Sequence, residues 1–415
     1  MLLYRWRIVL LISLSVFLIS CTGNDNQDET PDESNVEDEQ MEEMSVASNA
    51  LGFSTLTELH ENKGKKDNIF VSPSSLYSAL LLAYNGASEE TKEDFSELLD
   101  IKEWTDEEVN EAMYVLSDRL GKDKDDIEVT VANSLWLDDT YTFQADYKES
   151  METYFDAHME AVDKTDDASV DKINKWVQNQ TNDKIEEIME PPLQSNFVAL
   201  LVNVLYFNGN WQFEFPEEST KKDTFFASDK EIEVPFMQLE EELDYMENDN
   251  VEAVQLPYGE GEMMMEVYVP KENEDMSDFL TTTLPEQREN WKNAFKKETG
   301  TVHMPKFELE YDIVLNDVLQ ELGLKHAFSD QADFSSLVEE SDALRISEVK
   351  QKTLLDVNEK GTEAAAATSV EIEKTSLMVD EEFDMHIDRP FVFTITDTET
   401  DAILFLGKIE EPPES

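Results

Sequence analysis

Nine consecutive residues at 199–207, Ala-Leu-Leu-Val-Asn-Val-Leu-Tyr-Phe, are apolar except for Asn203. At the two-residue period of a strand such a run has no side suited to water, so it predicts a strand buried on both faces. The chain must therefore build a sheet that is covered on both sides. Upstream of this run the pattern is mostly helical. Leu51, Phe53, Leu56 and Leu59 keep helical spacing, and Ser72-Pro73 starts a helix that carries Leu76, Leu80 and Ala83 on one face. The stretch to Leu120 is mostly helical, and Ile173 to Ile188 reads as an amphipathic helix. Short strands are expected at Asn68–Val71 and Val129–Leu137. Past residue 199 strands dominate: Val251–Leu256, Met263–Val269, Thr301–Phe307, Thr353–Asn358, Phe391–Thr396 and Ile403–Leu406, with one late helix at Asp312–Leu322 that Gly323 can end. Helices first and strands later predict the α+β class. No internal repeat and no composition break divides 46–411, so one domain is expected there.

The two ends differ from the middle. Arg5 and Arg7 precede an apolar run, Ile8 to Ile19, that is shorter than the about 20 residues a membrane-spanning helix needs. It ends in Leu18-Ile19-Ser20-Cys21, which resembles the lipobox of bacterial lipoproteins. The expectation is a lipoprotein signal peptide at 1–20, lipidation of Cys21, and export to a membrane surface facing the extracellular or periplasmic side. Cys21 is the only cysteine, so no intramolecular disulfide, thiol nucleophile or cysteine-zinc site is possible. Asn24 to Glu43 is dense in Asp and Glu and poor in large apolar residues, so 21–45 is expected to be a disordered acidic tether.

Composition excludes several functions. With 95 acidic against 32 basic residues the formal charge is −63, which repels phosphate backbones and anionic lipid and disfavours nucleic acid as a partner. His60, His158, His303, His326 and His386 show no catalytic or metal-binding spacing, and neither a phosphate loop nor a dinucleotide fingerprint is present. The Met263-Met264-Met265 run fits a buried strand better than a ligand set.

The segment Glu359-Lys360-Gly361-Thr362-Glu363-Ala364-Ala365-Ala366-Ala367-Thr368 has two local readings. Alanine is the best helix former, and Thr362 can cap a helix. At period two, however, Thr362, Ala364, Ala366, Thr368, Val370 and Ile372 share one side suited to burial, while Glu363, Ala365, Ala367, Ser369, Glu371 and Glu373 share one that can meet water. Local pattern leaves helix and latent strand equal.

Glu359 to Thr368 is very similar to the hinge of the serpin reactive-centre loop, and flanking blocks resemble the same family in the same order. These are Asn68-Ile69-Phe70 with Ser72-Pro73 and Ser75, Gly86-Ala87 with Thr91, and Ile173-Asn174 with Trp176-Val177. Asn203, Tyr206-Phe207, Gly209 and Trp211-Gln212-Phe213 follow, then Met304-Pro305-Lys306-Phe307, Asp388-Arg389-Pro390-Phe391, and Leu404-Phe405 with Gly407. The resemblance spans roughly 46–411. It implies a single domain with three β-sheets, about eight to nine helices and an exposed loop. It further implies a monomeric suicide-substrate inhibitor of serine, or cysteine, endopeptidases that is no enzyme itself and needs no cofactor or metal.

Counting along the loop as the family does places the scissile bond between Thr375 and Ser376, with Lys374, Leu377 and Met378 as alternatives. Thr375 favours a subtilisin-like or elastase-like target; Lys374 would favour a trypsin-like one. Ser72, Ser75 and Asn203 match a polar cluster that controls opening of the central sheet, where Gln351 stands in place of the family's common histidine. Trp211 matches the aromatic residue at the point of loop entry, and Lys306 with Glu359 resembles an ion pair beside it. The alternative function is a serpin-fold surface binding protein that does not inhibit. A bulky, charged or proline residue at Thr362, Ala364, Ala366 or Thr368 would favour that alternative, and none is present.

Overall fold

The computed structural model describes residues 38–121, 126–340, 344–362 and 383–413, together with Val36. The described helices are α1 (Asp38–Lys63), α2 (Pro73–Gly86), α3 (Glu89–Leu98), α4 (Asp106–Gly121), α5 (Ala145–Phe155), α6 (Ala168–Gln180), α7 (Met276–Asp278), α8 (Leu284–Lys292) and α9 (Asn316–Glu321). A π turn at Phe279–Thr283 joins α7 to α8, so these segments make eight helical bodies. The described strands are β1 (Ile69–Val71), β2 (Ile127–Asp138), β3 (His158–Val162), β4 (Ala199–Asn210), β5 (Lys221–Ala227), β6 (Lys230–Glu247), β7 (Val251–Tyr258) and β8 (Met263–Pro270). They continue as β9 (Lys296–Pro305), β10 (Phe307–Val314), β11 (Glu348–Asn358), β12 (Gly361–Thr362), β13 (Phe383–His386), β14 (Phe391–Asp397) and β15 (Ile403–Ile409).

The apolar run at 199–207 lies in β4, the middle of a six-stranded sheet ordered β10-β11-β12-β4-β2-β3. One face of β4, with Leu201, Leu205 and Phe207, belongs to the main core beneath the sheet. The opposite face, with Leu200, Val202 and Val204, packs with Ala132 and Trp136 against Val170, Ile173 and Val177 of α6. Both faces are buried, as a run without a polar side requires. The remaining strands form one network, β1-β15-β14-β8-β7-β6-β9-β13, with β5 on β6. Within it, β6 pairs β9 through Phe236–Tyr245 and β7 through Asp244–Glu247, so one long strand serves two sheets. With the central sheet these make the three sheets of the α+β class.

Ser72 caps α2 as its sequence indicates: its Oγ accepts from the Ser75 N–H at 3.3 Å, and Pro73 occupies the first turn. The helix is buried at every position but Asn85, beneath β2 and β4. Three sequence expectations are corrected. The tether assigned to 21–45 stops earlier, because α1 begins at Asp38 and buries Met41 and Met44. Those two methionines lie one helical turn apart, while Glu39, Glu42 and Glu43 face water and mask the pattern in composition. The helix expected over 173–188 ends at Gln180, where Asn182 and Asp183 take positive φ of 50° and 61°. Residues 181–188 continue as a strap with Ile185 and Ile188 still buried. The helix expected over 312–322 is confined to Asn316–Glu321, since β10 runs on to Val314.

Met263 and Met265 are fully buried, and the next residue, Glu266, is a carboxylate with 3% exposure. It accepts from Arg288 at 2.9 Å, Gln255 at 2.9 Å, Tyr268 at 3.0 Å and Thr394 at 3.0 Å. Burial alone would raise its pKa. Arg288 and these hydrogen bonds override burial and hold the pKa below the usual carboxylate range. Arg288→Met should therefore destabilise the fold by about 3–5 kcal/mol at neutral pH, because it leaves a buried charge unpaired. In the native protein the lowered pKa gives stability above the unfolded carboxylate pKa and loses it as pH falls through the folded value. In the variant burial raises the pKa, so protonation relieves the defect. Urea unfolding at pH 7 and pH 4 should show a deficit that narrows in acid.

Candidate functional site

The centre of the six-stranded sheet is a seam. Strands β4 and β11 pair in parallel from Leu200 with Glu348 to Tyr206 with Leu354. Above Tyr206 they separate, and β12 enters between them, antiparallel to both: Gly361 faces Asn210 and Asn358, and Thr362 faces Gly209 and Val357. The first two residues after the Glu359-Lys360 turn are thus already strands of the central sheet.

Specific groups hold that entry. Trp211, 4% exposed, stacks on Tyr258 with ring centroids 4.1 Å apart and donates its indole N–H to the Asn358 carbonyl at 2.9 Å. The backbone N–H groups of Trp211 and Phe215 donate to the carbonyls of Lys360 and Glu359 at 2.9 and 2.8 Å. The Tyr258 hydroxyl bonds the Thr362 hydroxyl at 2.8 Å, fully buried. Gly361 has φ of +149°, and a Cβ there would lie 2.0 Å from the Gly209 carbonyl oxygen, so only glycine fits. Lys306 Nζ donates to Glu359 at 3.0 Å, and the Thr220 hydroxyl donates to the same carboxylate at 2.8 Å. Burial works to raise the Glu359 pKa, but the Lys306 hydrogen bond prevails and lowers it, so the carboxylate stays charged at the sheet's rim.

Below the entry, under the paired seam, lies the polar cluster. Gln351 on β11 donates to Asn203 Oδ1 at 2.8 Å and to the Ser72 carbonyl at 3.1 Å, and it accepts from the Ser72 N–H at 2.9 Å. Asn203 donates to the Ser75 carbonyl at 3.1 Å, to the Ser75 hydroxyl and to Asn133 Oδ1 at 2.6 Å. The whole group is buried. Ser72, Ser75, Asn203 and Gln351 thus meet in one cluster, and Trp211, Lys306 and Glu359 stand together at the entry. Gln351 supplies a donor and an acceptor, and its amide does not titrate.

Sequence reasoning missed Tyr258, Thr220 and Asn133. Asn133 carried the same signal as Asn203, a single amide inside a buried strand. Tyr258 and Thr220 carried none. On the outer face, Lys350 donates to the Ile188 carbonyl and Lys352 to the Glu187 carbonyl, the latter at 2.7 Å, so the strap at 181–188 is tied across the seam to β11. The outer face of the lower seam is in this way covered. Glu363, Ala364, Ala365, Ala366, Ala367 and Thr368 lie outside the described residues, as do Lys374, Thr375, Ser376, Leu377, Met378 and Cys21. Their flanks are placed: Thr362 ends in the central sheet, and Phe383 starts β13 in the other network.

The family model for Serpin (serine protease inhibitor) matches residues 46–412. A serpin-like protein of Methanosarcina acetivorans is 33% identical over 382 residues, covering 89% of this chain and 88% of that protein. Iripin-2 of Ixodes ricinus is 33% identical over 375 residues, covering 89% and 93%. Among solved structures, the thermophilic serpin Tengpin in its native state gives a TM-score of 0.81 at 28% identity, covering 94% of this chain and 96% of that one. Human thyroxine-binding globulin gives 0.83 at 26% identity, covering 90% and 100%. A three-sheet fold whose central seam admits the start of a loop, matched over nearly all its described length, places this chain in the serpin family.

Proposed function

We propose that the chain is a suicide-substrate inhibitor of serine endopeptidases, with Thr375–Ser376 as the scissile bond. The protein does no chemistry of its own. A target's serine attacks the Thr375 carbonyl, Ser376 leaves as a free amine, and the protease stays joined to Thr375 as an ester while residues 363–374 enter the central sheet. Family and fold support an inhibitory role in general. The register of β12 is the observation that supports this mechanism.

Thr362 opposite Gly209 and Val357 fixes a register that can be carried on two residues at a time. Ala364 then falls opposite Phe207 and Leu355, Ala366 opposite Leu205 and Thr353, Thr368 opposite Asn203 and Gln351, and Val370 opposite Leu201 and Val349. All eight partners are buried. Small or uncharged residues thus meet the core face at every step, and Thr368 delivers a hydroxyl into the polar cluster whose Asn203–Gln351 bond the new strand replaces.

The energetics favour insertion. The parallel seam, seven residue pairs long, is exchanged for two antiparallel ladders. A net gain of about ten hydrogen bonds at about 1 kcal/mol each is on the order of 10 kcal/mol, comparable with the about 5–15 kcal/mol that holds a typical protease folded.

Incubation of the purified protein with subtilisin, elastase and trypsin should give a covalent complex that survives boiling, with a released peptide beginning at Ser376 by mass spectrometry. Clean loop cleavage with every protease left fully active would instead support the non-inhibitory binding reading. A pair of variants tests the register. Thr368→Arg buries a cation in the polar cluster and should convert inhibitor to substrate, cleaved without complex. Glu363→Arg adds a cation opposite the half-buried Asn208 and Asp356, and should retain complex formation. Equal behaviour of the two would overturn the register.

We further propose that Cys21 carries lipid after export and holds the domain at a membrane surface, where it faces incoming proteases. The lipobox-like Leu18-Ile19-Ser20-Cys21 motivates this reading. Cell fractionation should recover the protein with membranes, and Cys21→Ala should shift it to the soluble fraction; mature protein mostly free in the medium would exclude the anchor.

A further inference from the structure

Two of the five histidines, far apart in sequence, meet on a sheet edge. The parallel register of β13 on β9 sets His386 directly opposite His303, and the two-residue period of a strand puts Asp384 on the same side as His386. The imidazoles stack with centroids 4.0 Å apart and 12° between their planes. Asp384 Oδ1 lies 3.1 Å from His303 Nε2 and 3.3 Å from His386 Nε2. One ligand atom from each of the three residues lies within 4.8 Å of the other two. The backbone is fixed as well: the Ile387 N–H donates to the His303 carbonyl at 2.9 Å, and β6 flanks His303 on its other side through Gln238.

We propose that His303, Asp384 and His386 form a site for a divalent transition-metal ion of the zinc, nickel or copper type, which clamps β13 to β9. Two imidazoles and one carboxylate are borderline donors that suit these ions and suit calcium or magnesium poorly. Donors at about 2.0–2.1 Å from one tetrahedral ion stand about 3.3 Å apart, which the Asp384 to histidine distances already approach. The stacked imidazoles, 12° between their planes, must turn toward one another for both nitrogen lone pairs to point at a common ion, and their exposure leaves room for that. His386 and Asp384 are 44% and 57% exposed, so an ion can enter and keep water in a fourth position.

Placement gives the site a role. Among the described residues, strand β13 is the outermost of its network and pairs only with β9; it follows residues 363–382 in the chain. Four register pairs hold it there. An ion bridging β9 and β13 adds a cross-link that must break before the edge strand can peel away, and it therefore fixes the far end of the loop during attack by a protease. The site is independent of the polar cluster and of the seam.

Calorimetric titration of the full chain with Zn²⁺ and Ni²⁺ tests it, with Mg²⁺ as the control for the acidic surface. The expected result is one saturable transition-metal site per chain that Mg²⁺ does not fill, and slower hydrogen exchange of β13 amides when it is occupied. His386→Ala and His303→Ala should each weaken that site by more than the about 10–100-fold that loss of an outer-shell partner costs. Circular dichroism and loop cleavage measured without metal, unchanged in His386→Ala, exclude misfolding as the cause. Absence of a saturable site, or unchanged affinity in either variant, would overturn the site; binding without slower exchange in β13 would overturn the clamp.

Discussion

The parallel seam between β4 and β11 is the interaction on which the rest of the structure depends. A strand pair in the middle of a sheet normally ends where its hydrogen bonds run out. Here it ends because β12 stands between the two strands, with Gly361 and Thr362 bonded to both. The seam below is closed by direct pairing and by one buried amide bond, Gln351 to Asn203, that ties both strands to the capped start of α2. An inserted strand would offer β4 and β11 more backbone bonds than they give one another. On the proposed mechanism the closed sheet would be a satisfied structure with a better-satisfied alternative, and the hydroxyl and amide groups beneath it could bond in either arrangement.

Much of this was legible in the sequence, for identifiable reasons. The run at 199–207 announced a doubly covered strand because no polar face interrupts it, and Asn203 stood out within it as an amide that must find partners. The alternation of Thr362, Ala364, Ala366 and Thr368 describes a latent strand and a helix equally well; Thr362 stands in β12, and the other three lie outside the described residues. What remained hidden depends mostly on residues distant in sequence. His303 and His386 meet through strand register, Tyr258 reaches Thr362 across a sheet junction, and Met41 and Met44 hide a helical face inside an acidic stretch. The break of α6 at Asn182 and Asp183 was missed because the apolar period continues past it, carried by a strap instead of a helix.

Charge organises the seam in a second way. With a formal charge of −63 carboxylates are plentiful, and many cations among the described residues lie in an ion pair, so placement matters more than pairing. Several of the few cations are drawn inward: Arg288 to Glu266, Lys306 to Glu359 at the loop entry, and Lys350 and Lys352 to Asp312 and Glu310 along β11. The excess acid is left on the surface, where salt screens it over a Debye length of about 8 Å at physiological ionic strength. The partly buried pairs are screened less. Raising salt should thus relax surface repulsion while leaving the cationic ties of the seam largely intact.

Those ties bear on how fast the sheet can open. Spreading β4 from β11 requires more than breaking their mutual hydrogen bonds, because α6 and its strap lie across the outer face. The helix grips Trp136 and Val202 on the β2 and β4 side, while the strap carbonyls of Glu187 and Ile188 accept from lysines on the β11 side. Hydrogen bonds to charged groups contribute about 1.5–3 kcal/mol each, so two of them add a few kcal/mol to any path that widens the seam without moving the strap. In the register proposed for insertion, residues 365 and 367 would come opposite Leu354 with Tyr206 and Lys352 with Val204, on the face that α6 and the strap cover. Alanine at both positions would then ask the strap to move least, which ties the proposed insertion to the outer face of the sheet as well as to the core.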